Sequence, residues 1–444
     1  MSRAAWVSRL AGVSRLAGAS VVVGVLMGAG CASPAGVIFP RVEPPVVWPL
    51  PPDPPRIAYV GAIRNSADLR PAKTTGQRFR EVLFRDAFRP IPLVTPRGVA
   101  VGDDGRVYVA DVGSASLHIL DLERRTHIRT DAAGGAQRLT SPAAVTLTPS
   151  GVLVADAALG GVFAYARDGT FRGRVDVDVE RPAGLAYCSA NDRVYVVDAA
   201  RHRCIVLGRG GAGADGWREV LRFGGRGTAP GWFNFPTGIT CDELLGVLIS
   251  DTLNFRVQRF DLDGTFVGSI GRKGNGAGDF ALPKGVAVDR DGHVYVVDAQ
   301  FENVQVFDAG GRLLLALGEE GDGVGEFSMP GGVTIDRLDR IWVADAQNHR
   351  LAVFRYLGDA GAIDAGAADA SRTSVRRIRR YGCIGEGDTS GTGAGRYGDK
   401  GRDTSGTGAG RYGRHTSGTG AGRYGDRGRD TSRVVPVAYA DGRP

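Results

Sequence analysis

Pro96-Arg97-Gly98-Val99-Ala100-Val101 is a short phrase that the chain repeats with variations. It returns as Pro142-Ala143-Ala144-Val145-Thr146-Leu147, Pro182-Ala183-Gly184-Leu185-Ala186-Tyr187 and Pro236-Thr237-Gly238-Ile239-Thr240-Cys241. Two further copies are Pro283-Lys284-Gly285-Val286-Ala287-Val288 and Pro330-Gly331-Gly332-Val333-Thr334-Ile335. The spacings of 46, 40, 54, 47 and 47 residues indicate one structural unit copied along the chain, with an insertion in the third copy around Gly208 to Trp217.

Each unit continues with a second apolar run that ends in aspartate, as in Val107-Tyr108-Val109-Ala110-Asp111 and Ile341-Trp342-Val343-Ala344-Asp345. Its β-branched and aromatic residues between turn formers are a strand signal. A third run follows, such as Val304-Gln305-Val306-Phe307. A fourth comes after Asp263-Gly264 or Gly310-Gly311. Four antiparallel strands make one propeller blade, so the chain is predicted to be an all-β protein, a six-bladed β-propeller. The first strand of each unit keeps Gly or Ala at its third position and a small residue two places later, as expected where innermost strands converge on an axis.

The sixth unit lacks a fourth strand, because the sequence after Leu357 turns to Gly, Ala and Asp. The segment Arg56-Ile57-Ala58-Tyr59-Val60-Gly61-Ala62-Ile63 has the composition of the missing strand and is expected to close the ring and cover its open edge. Residues 64–95 then cross to the first blade, with a short helix predicted at Gln77 to Phe84.

Two stretches carry a family resemblance. Val343-Ala344-Asp345-Ala346-Gln347-Asn348-His349-Arg350-Leu351-Ala352-Val353-Phe354 and Ser250-Asp251-Thr252-Leu253-Asn254-Phe255-Arg256-Val257-Gln258-Arg259-Phe260 resemble the NHL repeat. The glycine-rich linker from Gly271 to Phe280 before Pro283 is similar to that family's linker as well. The resemblance covers about 260 residues and implies the six-bladed fold. It does not imply one activity, since proteins of this kind bind proteins, RNA or small ligands and a few are enzymes.

The formal charge of +7 is unevenly placed. Residues 371–444 hold fifteen Lys/Arg against seven Asp/Glu, so residues 1–370 carry 40 against 41 and are nearly neutral. The 68 glycines suit many tight turns. Five cysteines, at 31, 188, 204, 241 and 383, have no CxxC spacing and no scaffold density. Cys188 and Cys241 fall near the ends of equivalent strands in neighbouring units, which leaves open both a disulfide and two small buried hydrophobes.

At the N-terminus, Arg3, Arg9 and Arg15 precede an apolar run from Gly18 to Gly30, the form of a signal peptide over residues 1–30. Leu26-Met27-Gly28-Ala29-Gly30-Cys31-Ala32-Ser33 resembles the lipobox of bacterial lipoproteins, although Gly28 stands where that family prefers leucine. The resemblance implies acylation of Cys31 and, through Ala32, anchoring to the outer membrane facing the periplasm; the alternative is plain cleavage and secretion. Residues 31–55 hold nine prolines and are expected to be an extended tether spanning up to about 70 Å. The propeller is placed at residues 56–357 and a disordered basic tail at 358–444, where Thr389-Ser390-Gly391-Thr392-Gly393-Ala394-Gly395-Arg396-Tyr397-Gly398 is repeated from Thr404 and Thr416.

The aspartates that end the second strands, Asp111, Asp156, Asp198, Asp251, Asp298 and Asp345, recur in every unit and are read as turn-forming acceptors, not metal ligands. His202 and His349 sit in the NHL-like turn, and His118, His127 and His293 are scattered. No catalytic set, metal site or cofactor is expected. The positions after the six prolines are Arg97, Ala143, Ala183, Thr237, Lys284 and Gly331, and Arg97 and Lys284 are the candidate ligand-facing residues for an anionic group. These features favour an exported, monomeric, non-enzymatic propeller that docks a protein or an anionic polymer of the cell envelope. A lyase or lactonase propeller and an RNA-binding protein are the alternatives, and nucleic acid is disfavoured by the export signal.

Overall fold

The computed structural model describes residues 36–70, 89–211 and 214–358. Within them, six antiparallel sheets stand around one axis. The innermost strands are Pro96–Val101, Pro142–Thr148, Pro182–Cys188, Pro236–Asp242, Pro283–Val288 and Pro330–Ile335, each lying beside the next and the last beside the first. In the first five blades the strands follow in chain order from the axis outwards, as in Pro236–Asp242, Gly246–Asp251, Arg256–Phe260 and Phe266–Ile270 of the fourth.

The sixth blade is built from both ends of the domain. Its Pro330–Ile335, Arg340–Asp345 and Arg350–Tyr356 strands are followed outwards by Ile57–Ile63, which pairs with Arg350–Tyr356 in the register Ile57 to Tyr356 and Ile63 to Leu351. The expected closing strand is therefore present, and it removes an edge that would otherwise expose unpaired N–H and C=O groups. Ile57 and Ile63 are fully buried, and each contributes about 2 kcal/mol of apolar burial to holding the ring shut.

The proline-rich stretch corrects one expectation. Val47–Trp48 adds a fifth strand outside Ile57–Ile63, and the Phe39 ring packs edge-on against Trp342 at 6.0 Å. Prolines flank this segment, but Val46, Val47 and Trp48 between them keep carbonyls that accept hydrogen bonds from Tyr59 N–H (2.9 Å) and Arg56 N–H (2.7 Å). Trp48 lies edge-on to Phe354 at 5.6 Å. Residues from about 38 onwards are thus part of the sixth blade, and the boundary at 56 lies too late. The expectations for the signal peptide, Cys31, the helix at Gln77 to Phe84 and the tail fall outside the described residues.

The core lies between blades. Second strands bring Tyr108, Tyr195, Tyr295 and Trp342 to complete burial, and their polar ends bond outwards. Tyr108 and Tyr195 donate to the carbonyls of Arg167 and Leu262 in the following blades, at 3.0 and 2.7 Å. Linkers add Phe233, Phe280 and Phe327, all fully buried. A positive-φ glycine opens each of these linkers, Gly224, Gly271 and Gly318, and a methyl group on any of them would run into its phenylalanine ring.

Cys188 and Cys241 form a disulfide between the inner strands of the third and fourth blades, with Cα atoms 5.4 Å apart. A cross-link over 53 residues stabilises the fold by roughly 2–4 kcal/mol. Cys204 is a free, buried thiol.

Candidate functional site

The inner strands surround a cavity of about 150 Å³ on the axis, lined by three consecutive residues from every blade. They form three stacked rings. The lowest, Val99, Val145, Leu185, Ile239, Val286 and Val333, is an apolar floor. The middle ring is Gly98, Ala144, Gly184, Gly238, Gly285 and Gly332. A Cβ on Gly98 would stand 2.8 Å from Ala144 Cα, and one on Gly332 would stand 2.5 Å from the Arg97 carbonyl. At Gly238 it would overlap the Lys284 carbonyl. Only very small residues let neighbouring backbones approach this closely, which is the physical reason for the small residue after each entry position of the motif.

The top ring is different: Arg97, Ala143, Ala183, Thr237, Lys284 and Gly331. The two cations expected to face a ligand do line the cavity, on either side of the side-chain-free Gly331. Arg97 lies along that gap, its Cδ 3.6 Å from the place a Gly331 Cβ would take. Burial pushes the Lys284 ammonium down to about 8, and the positive charge of Arg97 pushes it the same way. Burial also lowers Arg97, helped by a further cation, Arg181. Among the described residues no carboxylate forms an ion pair with Arg97, Lys284 or Arg181. Arg97 and Lys284 therefore repel each other across one opening, an arrangement that an anion relieves.

The same rim carries exposed apolar groups, with Trp232, Phe235 and Leu253 at 50, 39 and 41% exposure. They are neighbours, since Leu253 N–H bonds to the Asn234 carbonyl at 3.0 Å.

The six aspartates hold the frame of this rim. Asp298 accepts backbone N–H bonds from Ala281 and Leu282 ahead of its inner strand and from Gln300 and Phe301 in the following turn, at 2.7–3.1 Å. Asp111 does the same for Val94, Thr95 and Ser114, and Asp156 for Thr140, Ser141, Ala158 and Leu159. In the fourth and sixth blades Arg256 and Arg350 also pair with Asp251 and Asp345, at 2.9 and 2.7 Å. The acceptor role expected for them holds, and it reaches further than the following turn: each aspartate ties the linker to the second strand.

The fourth residue after each aspartate has positive φ: Ala115, Gly160, His202, Phe255, Glu302 and His349. At three of these positions the side chain stitches its blade to the next. His202 Nδ1 accepts the Phe235 N–H at 3.0 Å, Glu302 accepts the Met329 N–H at 3.3 Å, and His349 Nδ1 donates to the Val94 carbonyl across the ring closure. The repeat histidines are thus joints.

His118 and His127, read as scattered, are in fact paired, with Nδ1 of the first 2.8 Å from Nε2 of the second and Ser114 Oγ 2.8 Å from His118 Nε2. Burial keeps both imidazoles neutral, lowering them to about 4 and about 3. Sequence offsets concealed the pair because His127 lies on the outer strand, diagonal to His118. Gln258 takes the corresponding place in the fourth blade and donates to Asp251 at 3.0 Å. Among the described residues no group of three or more His, Cys, Asp or Glu is placed to hold a metal ion.

Residues 93–120, 280–307 and 327–354 match the model of the NHL repeat. A search of curated proteins found no match. Among solved structures, a streptogramin B lyase is 14% identical, with 60% of this chain and 95% of that chain covered and a TM-score of 0.44. A catalytically inactive virginiamycin B lyase from Staphylococcus aureus with quinupristin is also 14% identical, with coverages of 60% and 96% and a TM-score of 0.43. An auxiliary nutrient binding protein from Bacteroides thetaiotaomicron is 12% identical, with coverages of 59% and 69% and a TM-score of 0.46. Neither a ligand nor a reaction follows for this chain from likeness at that level.

Proposed function

From a six-bladed propeller carrying NHL repeats, we propose an exported, non-enzymatic docking module whose channel mouth receives an anionic group of a protein or polymer of the cell envelope. One observation carries this reading: Arg97 and Lys284 line a shared opening, and among the described residues neither forms an ion pair with a carboxylate. The lining also lacks the carboxylate, imidazole and thiol groups with which a lyase or lactonase channel holds a metal or moves a proton. The apolar rim at Trp232, Phe235 and Leu253 adds the kind of surface on which a partner seats itself once its charge is caught.

Export and anchoring belong to the same proposal. The Cys188–Cys241 disulfide supports it, since such bonds persist in oxidising compartments. The lipid attachment at Cys31 would then place the docking face in the periplasm, held to the outer membrane. Labelled fatty acid incorporated by the wild type and not by Cys31→Ala checks the anchor; equal labelling of both removes it.

The docking role is tested by charge reversal. Arg97→Glu combined with Lys284→Glu should abolish recovery of a partner from envelope extracts, while the melting temperature stays within a few degrees of wild type. Recovery of the same partner at wild-type yield would refute the reading. Stoichiometric zinc or calcium in the purified protein would favour the enzyme alternative instead.

A further inference from the structure

The linker that leads into the fourth blade departs from its two counterparts at one pair of positions. In the linker to the fifth blade, Arg272 forms an ion pair with Asp279 at 3.0 Å, and the Asp279 carboxylate also accepts the Gly276 N–H at 3.0 Å. In the linker to the sixth, Glu326 accepts the Gly323 N–H at 2.7 Å, and Glu319 stands where Arg272 does. The linker to the fourth has Trp232 in place of the carboxylate and Gly225 in place of the long side chain. Its tryptophan lies against the glycine backbone: a Cβ on Gly225 would stand 2.7 Å from the indole ring, and one on Gly227 would stand 3.1 Å from Trp232 Cβ. The exchange gives up a polar clasp and leaves the tryptophan 50% exposed, so packing of the blade does not explain it.

The indole is held in place from beneath, and its border carries charge of one sign. Arg256 and Gln258 donate to the Trp232 carbonyl at 3.0 and 2.8 Å, and Asn254 ties the neighbouring turn to the Gly227 carbonyl at 2.8 Å. Phe235 lies beyond, its ring edge-on to His202 at 5.1 Å, with Leu253 bonded to the residue before it. Arg226 is bridged through its backbone to Phe233, between Trp232 and Phe235. The Lys273 ammonium lies 5.0 Å from the centre of the Phe255 ring, two residues past Leu253. Both cations are exposed, and among the described residues neither forms an ion pair. An apolar surface bordered in this way fits a segment whose apolar side chain is flanked by carboxylates. A sugar would ask instead for hydrogen-bonding side chains, and those of Asn254, Arg256 and Gln258 are engaged by Asp251 and the linker carbonyls. We infer that Trp232, Phe235 and Leu253 form a platform for an acidic peptide segment of a partner protein, its apolar residue on the indole and its carboxylates towards Arg226 and Lys273. This rests on the reading of the rim as a docking surface and gives the partner its chemistry.

Fluorescence anisotropy with the disulfide-intact full chain tests it, using a labelled peptide of glycine and serine that carries one phenylalanine between glutamates. Lysine in place of the glutamates, and serine in place of the phenylalanine, give two control peptides. The acidic peptide should bind at least about tenfold more tightly than either control, and its affinity should fall as salt is raised. Trp232→Ala should weaken it at least about tenfold, as for an anchor at the centre of an interface, and Trp232→Phe should restore most of the loss. Arg226→Glu combined with Lys273→Glu should abolish the preference over the lysine peptide. Should Trp232→Ala fail to fold, this second variant, altered only at exposed positions, carries the test. Absence of binding, equal binding of the acidic peptide and either control, or indifference to Trp232→Ala overturns the platform. The docking reading is then judged by partner recovery with Arg97→Glu combined with Lys284→Glu: lost recovery leaves it standing without the platform, and unchanged recovery removes both.

Discussion

The first and second residues after each inner-strand proline lie side by side in the sequence and obey different rules. The second position is Gly98, Ala144, Gly184, Gly238, Gly285 or Gly332, and the backbone of the next blade presses on it. The first position ranges from Gly331 to Arg97: it lines the channel mouth, where Arg97 runs beside Gly331 and the Thr237 hydroxyl donates to Thr252 Oγ1 at 2.7 Å. Uniformity there reports packing and variety reports freedom. A repeat protein can place function only where the copies are free to differ, and this ring is such a place.

The comparison breaks most visibly at the packed ring. Gly238→Val should cost about 3 kcal/mol or more, or prevent folding, because the opposing atom is the Lys284 carbonyl and backbone cannot turn aside. A urea titration reads the loss, and a midpoint equal to wild type would show that the ring tolerates side chains. Next comes the aspartate frame. Asp298→Ala strands the N–H groups of Ala281, Leu282, Gln300 and Phe301 and should cost roughly 2–3 kcal/mol in the same assay.

The open ring should behave in the opposite sense. Lys284 has a proton affinity lowered to about 8 in the folded protein, against an ordinary value of 10.5. The unfolded chain therefore binds more protons between those two pH values, and folding stability contributed by this group rises as pH rises from about 8 towards 10.5. Its neighbours set this behaviour: Arg97 of the first blade opposes its charge, Asp298 of its own blade favours it, and Thr237 and Gly331 beside it carry none. Lys284→Met should accordingly stabilise the protein by up to about 1 kcal/mol at pH 7, after solvent screening, and by nothing above about pH 10.5. Denaturation across that range would contradict the comparison if the variant were destabilised at pH 7. The smallest effect is expected at Ala143→Ser, which changes an open position on a cation-free blade: stability within about 0.5 kcal/mol of wild type and anion affinity within twofold.

Much of this architecture was legible from residue order. Alternation within strands, the recurring proline and the terminal aspartate of the second strand repeat at fixed offsets, and so they announce blades, blade number and the closing strand at Ile57–Ile63. Val47–Trp48 was masked by the prolines around it, although a two-residue strand needs only its own free backbone groups. His118 and His127 meet across a turn through a diagonal contact that their nine-residue separation does not declare.

Local interactions write themselves into sequence because strand alternation, turn chemistry and small-residue packing recur at short, regular spacing, and for this protein they sufficed to specify a closed six-bladed ring. The meeting of Arg97 and Lys284 is of another kind. These residues are 187 positions apart, and it is the circular closure of blades that turns them towards one axis. Electrostatic repulsion depends on distance through space and not along the chain, so the charged mouth came into view only once the ring was closed.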